Sequence, residues 1–386
     1  MILMNMVTPP PDLAAISALQ SKLVKALRPI LPEHALLWQP EDTIIPYECD
    51  GLAAYRRMPL AVALPETEEQ VAQILKICYA MQIPVVPRGS GTGLSGGAMP
   101  LSQGLVLSLA KLKKIISIDP FTRTAVVQPG VRNLAISEAV AHLGLYYAPD
   151  PSSQIACSIG GNVNENSGGV HCLKYGLTLH NVLRVRGILM NGEIVEFGGL
   201  APDAPGLDLL AIMMGSEGML AVVTEVTVKL VAKPKLARVI MASFDGIEKG
   251  GNAVAAIIAA GIIPAGLEMM DKATTRAVEE FVRAGYDLDA VAILLCESDG
   301  TPEEVAEEIE RMTKVLEEAG ASGIQISKDE SERLKFWSGR KNAFPAAGRL
   351  APDYYCMDGT IPRRHIATLP YSNAFRAWKR NMALVV

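Results

Sequence analysis

Histidine and aromatic residues are scarce in this 386-residue chain, with five histidines and only 5% aromatics. His34, His142, His171, His180 and His365 fall at no spacing that gathers metal ligands, so each is expected in a turn or on the surface. Six cysteines, Cys49, Cys78, Cys157, Cys172, Cys296 and Cys356, stand far apart without a C-x-x-C pair. That pattern lacks the spacing of a zinc or iron-sulfur site and reads as reduced cytosolic thiols. No block of five Lys or Arg occurs and the formal charge is −5, so a sequence-independent grip on nucleic acid is not expected. Long apolar runs are missing too. Gly251 to Leu267 is broken by Gly261 and Pro264 and falls short of the roughly 18 apolar residues of a spanning helix. Met1 to Thr8 has neither a cationic lead nor the length of a secretory core. The expectation is a cytoplasmic protein without a transmembrane segment, with peripheral attachment to the inner face of the membrane left open.

The chain has material enough to fold: 49% of its residues are hydrophobic, and its length exceeds one core of usual size. Three parts are expected: an N-terminal helical arm over 1–54, a first domain over 55–234 and a second over 235–386. In the arm, Leu13, Ile16, Leu19, Leu23 and Leu27 recur at steps of three and four, the stripe of an amphipathic helix. Thr67 and Gln70 read as a capping box opening a helix that buries Val71, Ile74, Leu75 and Cys78. Asn191-Gly192 between two β-rich runs predicts a hairpin. After Lys233-Pro234-Lys235 the text alternates strand and helix from Ala237 to Ser327, with Thr301, Pro302 and Glu304 opening its third helix. Helices on one face of a small mixed sheet, in a ferredoxin-like plan, are expected there.

Three glycine-rich stretches carry the chemistry. The first, Arg88 to Pro100, holds five glycines and three hydroxyl side chains, so its N–H groups can turn towards an anion such as a phosphate without obstruction. Gly91, Gly93 and Gly96 also satisfy the dinucleotide G-x-G-x-x-G pattern. Gly96, Gly97, Pro100 and Gly104 leave no room for the helix that fold needs, so a nicotinamide-binding Rossmann unit is rejected. The second stretch runs from Pro149-Asp-Pro-Ser-Ser153 through Gly160-Gly-Asn162 to Asn164-x-Asn166-Ser-Gly-Gly169. Its hydroxyls, amides and glycines suit a polar, uncharged ligand edge, and would equally serve as tight turns. Gly215-Ser216-Glu217-Gly218 repeats the theme with one carboxylate able to accept from a ribose hydroxyl.

Taken in order, VPRGSGTGLSGGA, DPSSQIACSIGGNVNENSGGVHCLKYG and GSEGMLAVVTEVTVKL closely resemble the FAD-linked oxidases of the vanillyl-alcohol oxidase type, on the branch of the flavin subunits of bacterial glycolate oxidases. The resemblance runs from about Asp50 to Pro362. It implies an α+β fold: a two-subdomain flavin-binding domain followed by a ferredoxin-like α+β cap, here incomplete. It implies FAD on the first loop's pyrophosphate cradle, with the other two lining the isoalloxazine and adenosine parts. The positions carried over are Pro87, Arg88, Gly89, Ser90, Gly91, Thr92, Gly93, Leu94, Ser95 and Gly96, then Asp150, Pro151, Ser152 and Ser153, then Gly160, Gly161, Asn162, Asn166, Ser167 and Gly168, and finally Glu217 and Gly218. Some relatives attach FAD to a histidine of the first loop; Ile83 to Leu105 contains none, which implies non-covalent FAD.

LEMMD at Leu267 to Asp271, FWSGRKNAF at Phe336 to Phe344 and YYCMDGTIP at Tyr354 to Pro362 are similar to the family's cap domain. Arg340 matches the arginine that holds the substrate carboxylate, a task suited to a planar fork, although a surface salt bridge is its other reading. Relatives acting on dicarboxylates place a lysine two residues before Asp358; Cys356 stands there, implying a small monocarboxylate such as glycolate or D-lactate. The histidine-rich segments H-x-G-D-G-N-x-H and G-E-H-G, which supply the family's base and in some members bind a metal, do not occur in this chain. The family pattern is read through Arg363, after which a frameshifted or truncated end is expected; neither a metal site nor a catalytic base is assigned.

The implied activity is FAD-dependent oxidation of a small 2-hydroxy acid, with a second flavin subunit and an iron-sulfur subunit as partners. Two alternatives stand beside it: a non-catalytic flavin-binding subunit of an electron-transfer complex, and a nicotinamide-dependent reductase on the same fold.

Overall fold

The computed structural model describes residues 13–39, 44–201, 206–350 and Pro362. In chain order the described elements are α1 (Leu13–Leu27), β1 (Leu36–Leu37), β2 (Ala61–Ala63), α2 (Glu68–Ala80), β3 (Val85–Arg88), β4 (Leu105–Ser108), β5 (Ile115–Asp119), β6 (Thr124–Val127), α3 (Asn133–Val140), β7 (Leu145–Tyr146), α4 (Ile159–Glu165), α5 (Cys172–Tyr175), β8 (Val182–Ile188), β9 (Ile194–Gly198), α6 (Leu209–Met213), β10 (Val222–Lys229) and β11 (Val231–Ala232). There follow β12 (Leu236–Phe244), α7 (Ile247–Ala259), β13 (Gly266–Asp271), α8 (Lys272–Val282), β14 (Ala292–Gly300), α9 (Pro302–Glu318), β15 (Gly323–Ile326), α10 (Glu330–Lys341) and α11 (Ala343–Leu350).

The chain forms two compact units. One comprises residues 1–135, 155–166 and 182–228; the other takes 136–154, 167–181 and the remainder from 229. In the first unit, β1-β2-β4-β3 form a four-stranded sheet in which β2 and β3 run parallel to β4. The stripe of α1 supplies Leu23 and Leu27 to its core, where they meet Ile74, Leu75 and Cys78 of α2 and Leu105 and Leu107 of β4; Ile16 and Leu19 pack partly against it, and Leu13, expected in the stripe, is exposed. The capping box at Thr67 and Gln70 is present with both hydrogen bonds made. A five-stranded sheet, β5-β6-β10-β8-β9, completes this unit, and Gly192 turns its β8–β9 hairpin with φ of 80°.

In the second unit the sheet order is β13-β14-β12-β15, the ferredoxin-like arrangement with α8 inserted between β13 and β14. Every pair in it is antiparallel, where a mixed sheet was expected. Helices cover both of its faces rather than one. Val239, Met241, Ile293 and Leu295 pack with Val278 of α8, Phe336 and Trp337 of α10 and Ala346 of α11. The alternate residues Ile240, Ala242, Phe244, Leu294 and Cys296 pack with Ile257 of α7 and Val305, Met312 and Leu316 of α9. Both faces of β12 and β14 are apolar, so leaving either bare would expose a continuous hydrophobic surface.

Candidate active site

The first loop leaves the carboxyl end of β3 and stays irregular from Gly89 to Gly104, the kind of strand end at which α/β sheets take ligands. Gly91 and Gly96 have φ of 70° and 81°, left-handed backbone that glycine adopts without strain. The Arg88 side chain is engaged within the protein. Its Nη1 donates to Cys49 O at 2.7 Å, and its guanidinium lies 5.5 Å from the Tyr47 ring centroid. Asp50 braces the far end of the loop, accepting from Leu52 N at 2.9 Å and Ala98 N at 3.3 Å.

Residues 159–165, expected to be irregular, form the short helix α4. Its glycines have poor helix propensity, so packing decides. A Cβ on Gly160 would lie 2.5 Å from Pro129 Cβ and 3.1 Å from Pro129 Cα, so only glycine seats the helix there. Asn162, carried over as a flavin contact, has its side chain buried and occupied: its Oδ1 accepts from Asn133 Nδ2 at 2.9 Å, and its Nδ2 donates to Cys157 Sγ at 3.4 Å. Asn164 is the residue that joins the stretches. Its Oδ1 accepts from Gly218 N at 3.1 Å, its O from Glu217 N at 2.9 Å, and its Nδ2 donates to Gly160 O at 2.8 Å. It lies within the Asn-x-Asn text but was not singled out, because sequence spacing does not reveal which amide turns inward.

The first unit therefore gathers Pro87 to Gly96, Gly160 to Asn162, Asn166, Glu217 and Gly218. Pro87 packs on Gly218, and Ser95 Oγ donates to Glu165 Oε1 at 3.0 Å. Ser158 Oγ and Ser216 Oγ are buried with no hydrogen-bond partner among the described residues. A Cβ on Gly89 would collide with Ser158 Oγ. Positive-φ glycines, unobstructed N–H groups and orphaned buried hydroxyls form a cradle that fits the pyrophosphate and polar edges of FAD.

Asp150 to Ser153, Ser167, Gly168 and Arg340 belong to the second unit. Gln154 N donates to Pro151 O at 2.8 Å, closing the turn through Ser152 and Ser153. Thr178 Oγ1 donates to Ser167 O at 2.8 Å and holds the strand of chain that continues into Gly168. Asp150 is an anchor for the second stretch. Its Oδ1 accepts from His171 N at 3.1 Å, and its Oδ2 lies 2.8 Å from His171 Nδ1.

His171 sits in the turn that opens α5, as expected of a turn residue, but it is part-buried rather than on the surface. Its Nε2 meets Glu297 Oε1 at 3.1 Å, so both ring nitrogens face carboxylates. Burial works against its charge, but the hydrogen bonds and charges of Asp150 and Glu297 outweigh it and push its pKa up to about 10. Glu297, on β14 and 1% exposed, accepts at Oε2 from Arg333 Nη1 at 2.8 Å and from Trp337 Nε1. Burial alone would raise its pKa; His171, the Arg333 charge and the Trp337 N–H instead hold it below the usual carboxylate range. Lys174 and Tyr175 tie the same stretch to Asp299 at 2.6 and 2.8 Å. Sequence reading missed this cluster because its members are distant in the chain.

Arg340 stands on α10 three residues after Trp337, and its Nε donates to Glu268 Oε2 of β13 at 2.8 Å. The pair is part-buried, and the salt bridge that was the other reading of Arg340 is made through Nε. Cys356, Asp358, His365 and Tyr354 to Ile361 lie outside the described residues.

Residues 59–198 match the FAD binding domain model and residues 233–377 the model for the C-terminal domain of FAD linked oxidases, a match that continues past Arg363. The chain is 60% identical over 345 residues to glycolate oxidase subunit GlcD of Escherichia coli K12, covering 89% of this chain and 69% of that one. It is 31% identical over 328 residues to a D-lactate dehydrogenase of Anaerostipes hadrus, covering 83% and 68%. Among solved structures, p-cresol methylhydroxylase with substrate bound aligns with a TM-score of 0.71 at 20% identity, covering 83% and 69%, a likeness of fold. The chain thus spans about two thirds of the relatives it matches. Its glycine-rich cradle, its two matched domains and these relatives together make it a member of the FAD-linked oxidase family, with FAD as its cofactor.

Proposed function

We propose that this chain oxidises a small 2-hydroxy acid, glycolate or D-lactate, on non-covalently held FAD. The cradle of the first unit carries the reading: loop glycines with positive φ beside buried hydroxyls that have no partner among the described residues. The pyrophosphate is held by N–H groups of Gly89 to Gly96, with Ser158 and Glu217-Gly218 alongside. Within the first unit, Gly160 to Asn162 and Asn166 supply backbone to the rest of the cofactor. FAD would supply the acceptor for the hydride of the substrate α-carbon as the hydroxyl becomes a carbonyl, the hydroxyl proton passing to solvent.

Arg340 binds the substrate carboxylate through its Nη edge, and Glu268 holds the guanidinium plane by its bond to Nε. A carboxylate fixed at two points presents the α-hydrogen in one orientation, which is the chain's contribution to rate through positioning. His171 keeps its proton between Asp150 and Glu297 and does not serve as the base for the substrate hydroxyl at neutral pH. It instead holds the stretch bearing Ser167 and Gly168 to β14.

The printed names of the similar proteins, a glycolate oxidase subunit and a D-lactate dehydrogenase, support a 2-hydroxy acid as substrate. Electrons then leave to partners, a second flavin subunit and an iron-sulfur subunit. No described helix is long and apolar enough to cross a membrane, in keeping with at most peripheral attachment. The test is the anaerobic visible spectrum of the purified chain before and after glycolate or D-lactate. Bleaching of the flavin bands is expected; flavin absorption that persists supports a non-catalytic flavin-binding subunit, and bleaching by NADPH alone supports a reductase.

A further inference from the structure

The phosphate cradle is lined by carboxylates. Glu217, at φ of 53° between the strained ends of its loop, lays its side chain on the first loop so closely that a Cβ on Gly97 would collide with Oε2. Glu165, at the end of α4, approaches the same loop: its Oε2 would lie 3.3 Å from a Cβ on Gly93, and its Oε1 accepts from Ser95. Asp50 accepts from Ala98 N at 3.3 Å on the opposite side. Arg88, the loop's own cation, is spent on Cys49 O and Pro46 O, next to Asp50, while Arg56 and Arg57 line a hollow with Gly96, Met99 and Pro100. Three carboxylates thus face one loop of about ten residues on which a doubly charged pyrophosphate has to settle.

Like charges this close do not all stay ionised, and the part-buried group with the fewest hydrogen-bond donors takes the proton. Asp50 accepts two backbone N–H bonds and Glu165 a hydroxyl. The charge conflict therefore falls on Glu217, whose side chain accepts none of the hydrogen bonds found for the other two. We propose that Glu217 meets the FAD pyrophosphate as a neutral carboxylic acid, a hydrogen-bond donor, so that each FAD bound draws one proton from solvent onto Glu217. The inference rests on the FAD reading above and adds a proton to it. Burial, then the charges of Glu165 and Asp50, already bring Glu217 to a pKa of about 7 without the cofactor, and two phosphate charges raise it further.

The experiment is FAD binding to the flavin-free full chain, by fluorescence quenching across pH and by calorimetry in two buffers of different ionisation heat. For the wild type the dissociation constant is flat in acid and rises up to about tenfold per pH unit above neutrality, with uptake approaching one proton at about pH 8. Glu217→Gln keeps a donor without the charge; its affinity is flat in pH and its uptake falls to zero. Wild-type binding that is flat in pH with no proton taken up overturns the inference and leaves the FAD reading standing. Uptake that persists in Glu217→Gln overturns it too, with Glu165→Gln then expected to remove it. Should Glu217→Gln not fold, Glu165→Gln decides: uptake that persists there supports Glu217, and uptake that it abolishes overturns the inference. A wild type that binds no FAD at any pH overturns the FAD reading and the inference with it.

Discussion

A histidine held between two carboxylates gives the second unit a pH dependence that can be worked out in sign. His171 has an ordinary pKa near 6.5 when unfolded and about 10 when folded. Its contribution to stability is complete below the unfolded value and is lost as pH rises through the folded one. Unfolding free energy of the wild type is expected to fall between neutrality and about pH 10 with a slope of at most about 1.4 kcal/mol per unit. His171→Asn removes that slope, and denaturant titrations at a series of pH values measure it. Glu297 is the stricter residue of the pair. Removing its carboxylate by Glu297→Ala leaves Arg333 and His171 without their buried partner and is expected to cost about 3 to 5 kcal/mol, read from the same titrations. Arg340 answers at the level of substrate. Arg340→Lys keeps the charge and loses the fork, so kcat/KM for the hydroxy acid is expected to drop about tenfold to a hundredfold while FAD affinity is unchanged.

Elements differ in how far their own sequence secures them. Helix α9 opens with Thr301 as cap, Pro302 and Glu304, and all the expected bonds form: Glu304 N to Thr301 Oγ1 at 3.3 Å and Thr301 N to Glu304 Oε2 at 2.8 Å. Thr301→Ala is expected to cost about 1 kcal/mol in thermal or chemical unfolding, without effect on FAD affinity. Helix α4 is the opposite case. Its seven residues include two glycines and two asparagines, and it exists because Gly160 fits under Pro129 and Asn162 is pinned by Asn133 and Cys157. Gly160→Ala gains helix propensity but places a methyl group against backbone, so a net loss of about 1 to 3 kcal/mol is expected together with weakened FAD binding. Comparing the two variants separates a local cap from a tertiary seat.

At the scale of the molecule the cofactor is part of the fold's stability. A cradle that keeps buried hydroxyls unpaired is costly until a ligand satisfies it. FAD at about a hundredfold excess over its dissociation constant is expected to add about 2.7 kcal/mol, so removing flavin lowers the melting temperature and the loss is recovered in proportion to added FAD. Scanning calorimetry with and without the nucleotide measures this.

Much of the architecture was legible along the chain. The stripe of α1, the capping boxes of α2 and α9, the Asn191-Gly192 hairpin and the alternating order of the second unit depend on residues close in sequence, where propensity and period act directly. The glycine-rich loops announced an anion cradle for the same reason, since a backbone that must turn its N–H groups outward needs glycine at the turning points. What tertiary structure decided involves partners far apart in the chain: helices on both faces of the second sheet, the seat of α4, the choice of Asn164 as the amide joining the stretches, and the His171–Glu297 bond across 126 positions. Charge state belongs to this second group. Nothing in the text around Glu217 or His171 distinguishes them from other acids and histidines; their protonation follows from desolvation and from the charges that folding brings within a few ångströms, and those act through space rather than along the chain.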